Sequence, residues 1–163
     1  MFDVIIGLPV HPLIIHAVVV LGPLAALCLV AYAAVPRWRV GLRWPTLLLS
    51  AIAAGSAFVA TESGEQLEHR VGEPGFDHAE RGDLAAISLY VLFGVAVVVI
   101  LIVARVARQV GSQPAPARGT VPAVVLTVLA AGFAIVAIML AGHTGAKNVW
   151  EEDVANTSTS TGG

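Results

Sequence analysis

Five histidines are the residues of this sequence best suited to chemistry, and two glutamates lie near them in the predicted helices. Neutral imidazole is a common ligand of transition metals, and two facing imidazoles can hold the iron of a haem. Carboxylates beside imidazoles suit a hard or borderline divalent ion. The sequence therefore predicts a metal site with seven candidate ligands: His11, His16, Glu62, Glu65, His69, His78 and His143.

Three of these candidates share one face of a predicted helix. With about 100° of rotation per residue, the side chains of Glu62, Glu65 and His69 fit inside an arc of about 60°. The alternative for this stripe is an acidic face that is simply solvated. Gly64 interrupts the segment, because glycine lowers helix stability by about 1 kcal/mol relative to alanine.

Two further candidates lie at the start of the first helix. Pro12 suits the first helical position, because its missing N–H would have no partner there. We therefore expect His11 to cap this helix and His16 to lie about one turn inside it. The alternative is that both have structural roles only, with His11 as the cap and His16 bonded to a loop carbonyl.

The remaining two candidates lie at the ends of later helices. Asp77 and Glu80 have the spacing of a capping box, which makes His78 the first residue of its helix. His143 falls near the end of the last helix, where a polar or cationic side chain also suits the helix dipole without further function.

Four apolar segments must position these residues. Of the 163 residues, 57% are hydrophobic and 12% are charged, against roughly 25% charged in an ordinary soluble domain. Each segment has about the 20 residues that cross a bilayer as a helix, and none alternates like a barrel strand. We predict an all-α fold, a polytopic membrane four-helix bundle. The predicted helices cover residues 12–35, 44–69, 78–105 and 121–142.

These helices form one predicted domain over residues 1–150. A Pro/Gly-rich linker covers residues 111–119, and the low-complexity residues 151–163 are expected to form a disordered tail. No tandem repeat is evident in the sequence. Cys28 is the only cysteine, so an internal disulfide is excluded.

The basic residues predict the orientation in the membrane. Two of the loops between helices hold six arginines and no acidic residue, and the other side holds all eleven acids and all five histidines. We therefore expect the arginine loops to be cytoplasmic, in the cell (inner) membrane, with both termini and an acidic, histidine-rich face outside. A net charge of −2 gives no basic surface for nucleic acid.

The motifs at the histidine-containing ends resemble those of a known family. They are GLPVHPLIIH at residues 7–16, Gly64 with Glu65, DHAERGD at residues 77–83, and the glycine-rich exit after the last helix. Together they resemble the bacterial four-helix membrane family catalogued as domain of unknown function 2231, over nearly the whole chain up to about Trp150. The resemblance implies four helices and no established activity. Some relatives are associated with redox proteins, including fusions to Rieske-type domains, which favours a redox role.

Two functions compete. The first is binding of a transition metal or haem b at the extracytoplasmic face, for electron transfer or metal handling. Haem b would take two axial imidazoles from facing helices, supplied by His16 together with His143 or His78. An ion of Zn, Cu, Fe or Mn would use the histidines with Glu62 and Glu65. The small residues of the second helix slightly favour this ion site over haem, because close helix approach leaves little space for a porphyrin.

The second function is that of a non-catalytic accessory or structural subunit, either in a larger respiratory membrane complex or as a homo-oligomer. Small residues on the helix surfaces, including Gly94 and Gly132, suit such contacts. The absence of charges deep in the predicted spans disfavours a transporter or channel. No nucleophile motif is present, so the sequence favours no catalysed reaction.

Overall fold

Four long helices make up nearly all of the fold. The computed structural model describes residues 4–5, 8–72, 77–110 and 117–160. The elements in chain order are β1 (Val4–Ile5), β2 (Leu8–Pro9), α1 (Val10–Ala34), a 3₁₀ turn (Pro36–Trp38), α2 (Arg39–Val71), α3 (His78–Val110) and α4 (Ala117–Ser160). The two-residue strands β1 and β2 pair antiparallel. All four helices are long and apolar enough to cross a bilayer, which confirms the predicted all-α membrane bundle.

The helices follow one another around the bundle. Helix α1 packs against α2 and α4, and α3 packs against the same two neighbours, so α1 and α3 are diagonal to each other. The starts of α1 and α3 lie at one end of the bundle, which we call the histidine end. The opposite end, which we call the arginine end, carries the 3₁₀ turn and the side chains of Arg37, Arg39, Arg43, Arg105 and Arg108.

Small residues line the helix interfaces, and large ones fill the centre. Ala53 and Ala134 are fully or almost fully buried, as are the large side chains of Leu29, Leu89 and Leu92. Many large apolar side chains point outward instead, and Leu129 is 67% exposed. Such an apolar exterior is suited to lipid, where helix contact depends on close packing of small residues.

The turn between α1 and α2 is closed by one arginine. The Arg39 guanidinium donates to the carbonyl oxygens of Tyr32 at 3.3 Å and Ala33 at 2.9 Å. These carbonyls belong to the last turn of α1 and have no acceptor role left inside the helix, so the arginine satisfies them. Beside the turn, the guanidinium of Arg37 lies 5.5 Å from the ring centre of Trp38.

The helices extend beyond the predicted bounds at most ends. Helix α1 begins at Val10, α2 begins at Arg39, and α3 continues to Val110. The predictions stopped where charges or prolines begin, but adding a residue to an existing helix needs no new nucleus, and arginine is a good helix former. The start of α3 at His78 agrees with the predicted cap, and the Asp77 carbonyl accepts from the Arg81 N–H at 3.0 Å.

Helix α4 differs most from expectation. It runs from Ala117 to Ser160, so its backbone is helical over residues 151–160, where the sequence predicted a disordered tail. The same helix includes residues 117–119 of the predicted linker. Elongation of a long, stable helix explains both differences. Residues 111–116 and 161–163, the rest of the linker and tail, lie outside the described residues.

Candidate functional site

His11 connects α1 to α2 at the histidine end. It is the second residue of α1 rather than the predicted cap, and its partly buried ring places Nδ1 2.8 Å from the carbonyl oxygen of Ala60. A carbonyl oxygen can only accept, so Nδ1 carries the proton and Nε2 carries the lone pair. The ring also lies against Gly64, where an added Cβ would be 2.9 Å from Cε1 of His11. Gly64 therefore provides the space that the imidazole occupies.

His78 connects α3 to α4 in a similar way. Its Nδ1 lies 3.3 Å from Oγ1 of Thr144, and its ring also hydrogen-bonds the backbone of Ala141. The Thr144 hydroxyl has one proton, which it donates within α4 to the carbonyl of Leu140 or Ala141. When the hydroxyl donates to either carbonyl, it is an acceptor toward His78, and Nδ1 of His78 then carries the proton as Nδ1 of His11 does. An added Cβ at Gly145 would lie 3.0 Å from Cε1 of His78.

The two imidazoles interact across the bundle. The two rings are close enough for an electrostatic interaction between them, although they belong to the diagonal helices α1 and α3. Both rings have their Nδ1 engaged by the neighbouring helix, so Nε2 is the nitrogen of each ring that is open to a ligand. A metal-binding histidine typically donates its other ring N–H to a carbonyl, carboxylate or water, so these two rings have the hydrogen bonding of ligands.

The other three histidines are exposed. His16 lies about 140° around α1 from His11, and its Nδ1 bonds the carbonyl oxygen of Pro12 at 2.7 Å. His69 and His143 lie on exposed positions of α2 and α4. The structure does not bring these three rings to the pair formed by His11 and His78.

The predicted carboxylate ligands also lie on the surface. Glu62 and Glu65 are exposed on α2, on the same stripe as His69. Among the described side chains, no three or more His, Cys, Asp or Glu residues are grouped so that they could hold a metal ion. Of the seven predicted ligands, the structure thus pairs two.

Several residues of this end were missed by reasoning from the sequence. Ser63 is 3% exposed and donates to the Ala60 carbonyl at 3.2 Å, so it shares this acceptor with His11. The Oε1 atom of Gln66 is buried and has no hydrogen-bond partner among the described residues. The available signal was the placement of Gly64 and Gly145 inside helices, one residue after Ser63 and Thr144.

A comparison with protein families shows to which family the chain belongs. The sequence profile of the family described as "Predicted membrane protein (DUF2231)" matches residues 7–158. The chain belongs to the DUF2231 family. This confirms the resemblance seen in the motifs, and the DUF2231 match contains both paired histidines. No curated protein and no solved structure shows significant similarity to the chain.

Proposed function

We propose that this multi-pass membrane protein binds a transition-metal centre, haem b or a metal ion, through His11 and His78, and serves electron transfer or metal handling. The observation that carries the proposal is the paired arrangement of the two rings. Each Nδ1 bonds an oxygen atom on the neighbouring helix, which leaves Nε2 of each ring as the nitrogen open to a ligand. Two fixed donors of this kind can share one metal centre.

The number of ligands favours haem b over an ion. A haem iron needs only two axial ligands from the protein, because the porphyrin supplies the other four nitrogens. A bound ion of Zn, Cu, Fe or Mn requires more protein ligands or water, and Glu62, Glu65 and His69 are exposed on the surface of α2. When bound, a haem with two imidazole ligands supplies one-electron transfer.

The charges at the other end support a location for this site. The arginine end carries exposed Arg37, Arg43, Arg105 and Arg108, which the positive-inside rule places in the cytoplasm. The histidine end would then face the extracytoplasmic side of the cell membrane. A centre there could exchange electrons or metal with a partner outside the cell or in the periplasm.

The proposal is tested on the purified protein in detergent, by absorption spectroscopy and elemental analysis after growth with added haem precursor and metals. We expect a bound centre that His11→Ala and His78→Ala each reduce to below a tenth of the parent occupancy. The matched controls are His69→Ala and His143→Ala, which remove exposed histidines from the same end and should keep the centre. A Soret band identifies haem, and metal without this band identifies an ion.

Two outcomes would overturn the proposal. If the parent protein holds neither haem nor metal when both are offered, the chain has no such centre, and the accessory-subunit interpretation replaces it. If His16→Ala or His143→Ala removes the centre while His11→Ala does not, the paired histidines are not the ligands. Size-exclusion profiles of each variant separate loss of the centre from loss of the fold.

A further inference from the structure

The two imidazoles are held by the same short sequence pattern in two different helices. His11 packs against residues 60–64 of α2, with the sequence ATESG, and His78 packs against residues 141–145 of α4, with the sequence AGHTG. Both segments read Ala-x-x-Ser/Thr-Gly. The pattern is too short to be meaningful alone, so its significance depends on what its atoms do.

The two segments hold their rings with similar atoms. The Nδ1 atom of His11 bonds the carbonyl oxygen of Ala60 at 2.8 Å, whereas that of His78 bonds Oγ1 of Thr144 at 3.3 Å, and the His78 ring also interacts with the backbone of Ala141. The hydroxyl three residues later donates to the same alanine carbonyl, at 3.2 Å from Ser63 and 3.0 Å from Thr144. The final glycine lies against Cε1 of the ring in both cases.

The correspondence continues over residues 46–63 of α2 and 127–144 of α4. Each position of α2 pairs with the position 81 residues later, as Ala60 pairs with Ala141. Six pairs of buried positions then coincide, and Ala54, Ala123 and Ala130 are buried positions whose counterparts are partly buried. The six pairs are Thr46 and Thr127, Ser50 and Ala131, Ala53 and Ala134, Ser56 and Ala137, Ala57 and Ile138, Ser63 and Thr144. In the first of these pairs both hydroxyls are fully buried and have no hydrogen-bond partner among the described residues.

Helices α1 and α3 correspond with a different spacing of 67 residues, as His11 pairs with His78. The buried pairs are Val18 and Ala85, Gly22 and Leu89, Ala25 and Leu92, Leu29 and Ala96, Tyr32 and Val99, Ala33 and Ile100. One of these pairs is in contact, since an added Cβ at Gly22 would lie 3.2 Å from Cδ2 of Leu89. Residues related by a two-fold axis meet each other only near that axis, which places it between α1 and α3.

We propose that the chain is a duplicated helical hairpin, and that its two half-sites hold one ligand between them on the two-fold axis. One half-site is His11 with residues 60–64, and the other is His78 with residues 141–145. This inference rests on the proposed function and adds to it the stoichiometry, the equivalence of the two histidines and the positioning residues. Such parallel repeats, related by an axis along the membrane normal, occur in other membrane proteins.

The first test is the stoichiometry of the purified protein saturated with haem, or with the metal if no haem binds. We expect one centre per chain. The single variants His11→Ala and His78→Ala should lose the centre equally, within a factor of two, and the double variant should lose no more. Two centres per chain would overturn the inference while leaving the proposed function standing. A centre that depends on one histidine alone would overturn both.

The second test exchanges the half-sites and does not depend on a bound centre. The Ala and Gly of the pattern are the same in both segments, and only the hydroxyl residue differs. The double variant Ser63→Thr with Thr144→Ser therefore gives each half-site the pattern of the other. We expect it to match the parent in thermal unfolding and in occupancy. Its matched control, Ser63→Ala with Thr144→Ala, removes both hydroxyls and should lower both.

The outcomes of the second test separate the two proposals. If the exchange variant unfolds as early as the alanine control, the half-sites are not equivalent and the duplication is refuted. If the protein binds neither haem nor metal but the exchange variant keeps the parent stability, the duplication stands without the proposed ligand.

Discussion

Replacement of Gly64 by alanine tests how closely the structure of the histidine end controls its imidazoles. The added Cβ would lie 2.9 Å from Cε1 and 3.1 Å from Nδ1 of His11, where ordinary contact begins at 3.4 Å. The ring must therefore move by about 0.5 Å, or the two helices must separate by that distance. Either movement lengthens the 2.8 Å bond from Nδ1 to the Ala60 carbonyl.

The expected free-energy change combines three terms. Crowding of a packed site costs about 1–3 kcal/mol, and loss of the hydrogen bond costs about 0.5–1.5 kcal/mol. Replacing a glycine inside a helix by alanine returns about 1 kcal/mol. We expect Gly64→Ala to lower the free energy of unfolding by about 0.5–3.5 kcal/mol and to reduce the occupancy of the proposed centre.

The matched control is Gly55→Ala in the same helix, where an added Cβ meets no atom within 4 Å. This variant gains only the stability that alanine gives a helix relative to glycine, so it should be as stable as the parent or more stable. The assay is reversible unfolding in mixed detergent micelles, followed by circular dichroism. If Gly64→Ala proves as stable as Gly55→Ala, the imidazole does not occupy the space beside Gly64, and the geometry of the site is wrong.

Four further predictions follow from the described side chains. Gly145→Ala should lose stability as Gly64→Ala is expected to, because a Cβ there would lie 3.0 Å from Cε1 of His78. At Gly142 an added Cβ meets nothing within 4 Å, so equal melting temperatures of Gly145→Ala and Gly142→Ala would contradict this. Leu89→Ala should cost about 2–5 kcal/mol in unfolding, since its side chain is fully buried, and the 67% exposed Leu129 should tolerate the same change within about 0.5 kcal/mol. Gly22→Ala should be destabilising, because its Cβ would lie 2.6 Å from Cδ1 of Ile138. Adding Ile138→Val to this variant removes that methyl and should restore stability; if stability is not restored, the clash lies elsewhere. With Cys28 replaced by serine, a cysteine introduced between residues 112 and 119 should resist a membrane-impermeant label in intact cells, and labelling as rapid as at the C-terminus would reverse the predicted orientation.

Hydropathy and charge were sufficient to predict the helices but not their ends. The four spans follow from apolar length, and the start of α3 at His78 follows from the residues around Asp77. Outside a membrane, local helix propensity and elongation determine where a helix ends. A change in hydropathy does not indicate that position. This is why α4 was predicted to stop near residue 142 and continues to Ser160.

The candidate site could be predicted as a set of residue types but not as a geometry. The list of histidines contained His11 and His78, but periodicity gave no reason to prefer them over His16. That choice depends on which face of α1 meets α2, and Gly64 lies beside the His11 ring on that face. A glycine weakens an isolated helix, but within a bundle it also signals a close contact, as Gly64 does beside His11.

The internal correspondence was missed for a related reason. His11 precedes Ala60 by 49 residues, and His78 precedes Ala141 by 63, so the sequence has no fixed period. Most matched positions share burial rather than identity, as Gly22 and Leu89 do. Small and large residues at such positions complement each other in contact, which makes the two halves look different in sequence.

The arginine that closes the turn after α1 has a consequence for how the protein is made. Because Arg39 satisfies the carbonyls of Tyr32 and Ala33 from within the next helix, the end of α1 is complete as soon as α2 begins. Chains are synthesised from the N-terminus, so this hairpin can close while α3 and α4 are still on the ribosome. The first half of the bundle would then reach the bilayer as a preformed surface, against which the second half assembles.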